Sequence, residues 1–74
     1  MITIYSKDNC QQCLQAIMLC DMKGVDFNVL KLGVDCEKED ILKINPSARS
    51  FPLITKDDEY IGTLQDLKEY LSKP

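Results

Sequence analysis

Ile2-Thr3-Ile4-Tyr5-Ser6-Lys7-Asp8-Asn9-Cys10-Gln11-Gln12-Cys13 is the stretch whose reading decides the fold. Its first four residues alternate and are β-branched or aromatic, which predicts a strand, and Ser6 to Asn9 read as a polar loop. Asn9 suits a helix N-cap and Gln12 stands three positions on, a variant of the capping box, so a helix is expected from here to Lys23, stopped by Gly24. The two cysteines therefore fall where a strand gives way to a helix. At spacing i, i+3 both sulfurs lie on one helix face and can close a small disulfide ring, the first reachable at the helix start, the second sheltered one turn inside.

Working outward, Val25 to Leu30 alternates again and predicts a second strand, so strand, helix and strand form a right-handed parallel βαβ unit. Asp35 is expected to cap a short helix through Ile44, with Ile41, Leu42 and Ile44 inward and Asn45-Pro46 ending it. Ser50 to Thr55 and Tyr60-Ile61, separated by Lys56-Asp57-Asp58-Glu59, read as an antiparallel hairpin ended by Gly62. Thr63 and Asp66 make a second capping box, and Leu64, Leu67 and Leu71 place one apolar stripe along a final helix. The expected order is β-α-β-α-β-β-α in an α/β domain spanning 1–74.

The chain has 74 residues, 45% of them hydrophobic, enough for one compact domain close to the lower limit for a self-sufficient core. No run approaches the roughly 20 apolar residues that span a bilayer, and the N-terminus opens on a strand rather than a signal peptide, so a cytoplasmic protein is expected. Four cysteines at these spacings make neither a disulfide scaffold nor two CxxC pairs. A net charge of −3, no histidine and no basic run argue against a nucleic-acid groove and remove both a Cys-His nucleophile pair and most zinc-enzyme ligand sets.

A thiolate attacks disulfides and a thiol does not, so a redox cysteine needs a lowered pKa. Cys10 is placed for this: the unpaired amides of the first helical turn point toward its sulfur and Lys7 adds positive charge, partly opposed by Asp8. The expected mechanism has Cys10 attack a substrate disulfide and Cys13 then attack Cys10, releasing reduced substrate and leaving the protein oxidised. The bland alternatives are an incidental helix pair or half of a metal site, including an iron–sulfur or zinc site bridging two copies. Cys20, with Ala16 and Leu19, is expected to face the sheet as a core residue, and Cys36, expected partly exposed at a helix start, is either structural or regulatory. Leu14, Ile17 and Met18 are either a docking patch beside the cysteines or, with the helix phased differently, part of the core. Pro52 reads as a strand-opening proline, trans or cis, that leaves Phe51 backbone groups free for an extended substrate.

The chain resembles the glutaredoxin branch of the thioredoxin superfamily, and within it the small NrdH-type redoxins. The carriers are Ile2-Thr3-Ile4-Tyr5, Asn9-Cys10-Gln11-Gln12-Cys13, Gly24-Val25-Asp26-Phe27, Phe51-Pro52, Ile61-Gly62 and Asp66-Leu67. The resemblance implies a thioredoxin-like four-stranded mixed sheet in the order β2-β1-β3-β4, flanked by three helices. It also implies Cys10 as nucleophile, Cys13 as resolving thiol, and Pro52 as a cis-proline facing their disulfide. Lys7, Phe51, Gly62 and Asp66 match the positions that hold glutathione. Gln12 stands where that site has a tyrosine, Gln11 replaces the usual proline, and Thr63 the second glycine. These departures resemble the NrdH-type pattern, which implies electron supply to ribonucleotide reductase with thioredoxin reductase as reductant. Glutathione remains the alternative reductant, and the expected state is a monomer with no bound cofactor or metal.

Overall fold

The structure, a computed structural model, describes residues 1–47, 51–57 and 59–72. Along these, β1 (Ile2–Ser6), α1 (Gln11–Lys23), β2 (Phe27–Lys31), α2 (Lys38–Ile44), β3 (Leu53–Lys56), β4 (Glu59–Gly62) and α3 (Leu64–Ser72) follow one another in the expected order. The four strands form one sheet in the order β2-β1-β3-β4. β1 pairs parallel with β2 and antiparallel with β3, from Ile2↔Phe27 to Ser6↔Lys31 on one side and from Ile2↔Lys56 to Tyr5↔Leu53 on the other. A central strand is covered on both faces, and the alternation of β1 divides its side chains between two layers.

On one face Ile2, Ile4 and Ile54 pack with Ala16 and Cys20 of α1 and with Leu64 and Leu67 of α3. On the other, Tyr5, Leu30 and Leu53 gather with Cys36, Ile41 of α2 and Phe51. The expected inward positions Leu64 and Leu67 are buried and Leu71 is half-buried. Gly24 ends α1 at φ 69°, a left-handed cap that a side chain would disfavour, and its N–H returns to the Asp21 carbonyl.

Several local expectations are corrected. Asn9 is not the N-cap of α1: it turns the chain at φ 56°, a conformation asparagine tolerates, whereas a cap needs extended angles. Cys10 has those angles and takes the cap position one residue later, so Gln12 sits inside the first turn and reaches no capping partner. β2 begins at Phe27 rather than Val25.

Asp35 does not cap α2, because its carboxylate accepts from the Lys31 N–H at 3.1 Å and closes the loop back on β2. Glu37 is the cap, with its own N–H donated to the Asp40 carboxylate at 2.9 Å. Leu42 points outward while Ile41 is buried and Ile44 half-buried; a helix of two turns has only one line of positions facing the sheet. Cys36 is buried, since the loop from Leu32 folds its side chain under the sheet with Ile41 and Leu53. The hairpin strand starts at Leu53, after Pro52, and its partner spans Glu59 to Gly62; the expected strand residue Ser50 and turn residue Asp58 lie outside the described residues.

Candidate active site

The cysteine pair forms where the sheet delivers the chain to α1. Cys10 and Cys13 are joined in a disulfide, their Cα atoms 5.2 Å apart, as one helical turn allows. Cys10 is half-buried and Cys13 is 2% exposed, which leaves Cys10 as the sulfur an incoming group can reach. The Cys13 backbone N–H donates to the Cys10 sulfur at 3.1 Å. In the reduced protein the same donor faces the Cys10 thiol or thiolate, and a hydrogen bond to the charged form favours it. No acidic residue lies in the first turn of α1 to oppose this.

The disulfide opens on a cleft of about 610 Å³ lined by Ser6, Lys7, Asp8, Asn9, Cys10, Gln11, Cys13, Leu14, Ile17 and Lys31. Of the residues expected at the site, the cleft gathers Lys7, Cys10 and Cys13. Phe51 joins them indirectly, its ring 5.4 Å from the Lys7 ammonium, a cation–π contact. The antiparallel pairing of β1 with β3 ends at Tyr5↔Leu53, so Phe51 and Pro52 enter the sheet beside the end of β1, where Ser6 and Lys7 line the cleft. The Phe51–Pro52 bond is cis and Pro52 is buried. Gln12 is exposed on α1 outside the cleft lining.

Gly62 and Asp66 belong to a different local structure. The Asp66 carboxylate accepts from the Thr63 N–H at 3.0 Å and from the Thr63 hydroxyl at 3.4 Å, holding the start of α3. Gly62 is packed so closely against that carboxylate that a Cβ there would overlap it, and its φ of 143° is a glycine conformation.

Sequence reasoning missed Lys31. Its ammonium pairs with the Asp8 carboxylate at the rim of the cleft, so the charge expected to oppose Lys7 is already held by a second cation. The signal lay in the βαβ unit itself: parallel pairing puts the C-terminal ends of β1 and β2 side by side, and Ser6 is opposite Lys31. With two cations and one carboxylate, the cleft lining carries one net positive charge on a chain of net charge −3.

Cys20 and Cys36 are free thiols outside the cleft. Burial pushes the Cys20 thiol up, and burial followed by Asp40, Asp35 and Glu37 pushes Cys36 up. Both are thereby held as neutral thiols, which favours the structural reading for each. Leu14 and Met18 are more than half exposed, so the phasing that made them core does not hold for these two, whereas Ile17 is half-buried and packs against the core of Ile2, Ile4 and Ala16. Among the described residues no group of three or more Cys, Asp or Glu is placed to hold a metal ion, and no helix is long and apolar enough to cross a membrane.

A glutaredoxin family model matches residues 2–61. Over 59 residues the chain is 37% identical to the glutaredoxin-like protein NrdH of Lactococcus lactis, covering 78% of this chain and 79% of that one. It is 33% identical over 67 residues to a probable glutaredoxin of Synechocystis, covering 89% and 76%. The structure of the NrdH-redoxin from Escherichia coli superposes with a TM-score of 0.74 over 99% of this chain and 95% of that one, at 22% identity.

Proposed function

The chain belongs to the glutaredoxin family, and from that premise we propose that it is a dithiol electron carrier in which Cys10 attacks and Cys13 resolves, serving ribonucleotide reductase first among targets. It is a thiol-disulfide oxidoreductase with a thioredoxin-like fold, as members of the family are. The Cys10 thiolate attacks one sulfur of the substrate disulfide and the other leaves as a thiolate that takes up a proton. Cys13, deprotonated, then attacks the Cys10 sulfur and expels the second substrate thiol. Two electrons pass to the substrate and the Cys10–Cys13 disulfide remains.

The reductant proposed for that disulfide is a flavoprotein of the thioredoxin reductase kind, in a cytoplasmic setting, with the carrier acting as a monomer. The observation that carries this choice is Asp66, whose carboxylate is engaged by the Thr63 amide and hydroxyl rather than presented to the cleft. Gln12, exposed where a glutathione site has a tyrosine, supports the same reading. Lys7, the α1 N-terminus and the Phe51–Pro52 segment remain as a partial site for a carboxylate-bearing tripeptide, so glutathione is the competing reductant.

Coupled oxidation of NADPH separates the two. Thioredoxin reductase with NADPH is expected to reduce the oxidised carrier rapidly, and glutathione with glutathione reductase slowly. Reduction by glutathione but not by thioredoxin reductase overturns the assignment of the reductant.

A further inference from the structure

α1 carries a second apolar line besides the one facing the sheet. Leu14, Met18 and Met22 recur at i, i+4 and i+8 and are 55%, 61% and 79% exposed, whereas Cys13, Ala16 and Cys20 on the opposite side are buried. The line starts inside the redox cleft, because Leu14 lines it together with Cys10, and it runs about 12 Å along the helix at 1.5 Å per residue. From Gln11 to Cys20 the helix carries no charge, so the first charges beside the line are Asp21 and Lys23, which flank Met22 at its far end. Methionine side chains on such a line are flexible enough to fit differing partners.

We propose that Leu14, Met18 and Met22 form a docking rail for an oxidised protein whose disulfide is flanked by apolar side chains. This rests on the reading of Cys10 as the attacking thiol. A substrate disulfide must lie against Cys10 for the sulfurs to exchange, and Leu14 is part of the same cleft, so the chain beyond that disulfide runs onto the rail. A second copy of this chain is the poorer occupant. Seated on the rail it covers Leu14 and closes the cleft mouth. The three side chains expose on the order of 400 Å², about half of the roughly 800 Å² per partner in a standard stable interface, which suits a transient redox encounter.

The test uses pre-reduced protein in single-turnover oxidation, so that no other reductant is present. Two synthetic disulfide peptides of equal length are compared, one with Leu and Met beside the cysteines and one with Ser, and hydroxyethyl disulfide serves as a substrate too small to reach the rail. Each reaction oxidises Cys10 and Cys13 to their disulfide and reduces the probe to two thiols.

The wild type is expected to react about tenfold faster with the apolar peptide at subsaturating concentration. M18Q/M22Q, which keeps side-chain length and adds no charge, should lose that preference and react with hydroxyethyl disulfide within about twofold of wild type. No preference in the wild type, a preference retained in M18Q/M22Q, or an equal slowing on all three probes overturns the docking rail. A dimer in sedimentation that M18Q/M22Q disperses assigns the line to a second copy and overturns it too. Failure of the wild type to react with hydroxyethyl disulfide at all overturns instead the role of Cys10.

Discussion

The backbone N–H of Cys13 donates to the sulfur of Cys10 at 3.1 Å, so one member of the pair holds the other's sulfur at the start of α1. The same amide is one of the donors left unpaired at a helix N-terminus, and a developing thiolate satisfies it better than a thiol does. In Cys13→Ala, where Cys10 is free and this backbone donor is retained, alkylation of Cys10 by iodoacetamide should follow a pH profile with its midpoint below the ordinary thiol value of about 8.5. A midpoint at or above that value contradicts the argument from the helix start.

Lys31 and Asp8 pair at the rim of the cleft, and loss of Lys31 leaves the Asp8 carboxylate uncompensated close to Cys10. Lys31→Gln should therefore slow Cys10 alkylation at neutral pH at low ionic strength. Both groups are substantially exposed, so the difference should shrink at about 1 M salt, where the screening length falls to about 3 Å. An effect that persists undiminished at high salt argues for a packing role instead.

Cys20 and Cys36 are buried thiols held above the ordinary value, first by desolvation and, for Cys36, also by Asp40, Asp35 and Glu37. A thiol with a raised folded pKa contributes stability that is fully present below the ordinary thiol value and is lost as pH rises through the folded value. The urea midpoint should therefore fall as pH rises above the ordinary thiol value of about 8.5, and Cys20→Ala should flatten that fall even though its own stability is lower throughout. Both thiols should resist alkylation at pH 8 unless the protein is unfolded.

Gly62 and Asp66 occupy the same space: a methyl group at Gly62 meets the Asp66 carboxylate, at a φ of 143° that disfavours any side chain. Gly62→Ala should cost about 1–3 kcal/mol, and Asp66→Ala about 1 kcal/mol through the lost bonds to Thr63. Because Asp66→Ala removes the carboxylate but keeps the Cβ, itself 2.6 Å from the added methyl, the double variant should recover part of the loss and be more stable than the sum of the two implies. Additive losses in denaturant titration would show that the backbone angle and the contact with the Asp66 Cβ, not the carboxylate, set the cost.

The element order was legible because each segment carried its own period: two residues in Ile2–Tyr5, three to four in Leu64–Leu71. The sheet order, the thioredoxin-like class and the choice of cis over trans at Phe51–Pro52 came with the resemblance to glutaredoxins, and the structure has all three. What escaped were placements decided by contacts distant in sequence. Asn9 and Asp35 both looked like caps, but one takes a left-handed turn and the other closes on Lys31. Lys31 itself is unremarkable until parallel pairing sets it opposite Ser6. Cys36 looked exposed because its burial comes from Leu53, a neighbour across the sheet.

The most direct test of the dithiol account is the Cys13→Ser protein mixed with a disulfide-containing protein such as insulin in the absence of glutathione. It should form a stable mixed disulfide through Cys10, seen as a covalent adduct by mass spectrometry, and turn over at least about a hundredfold more slowly than wild type. Turnover at the wild-type rate, or an adduct on a cysteine other than Cys10, would contradict it.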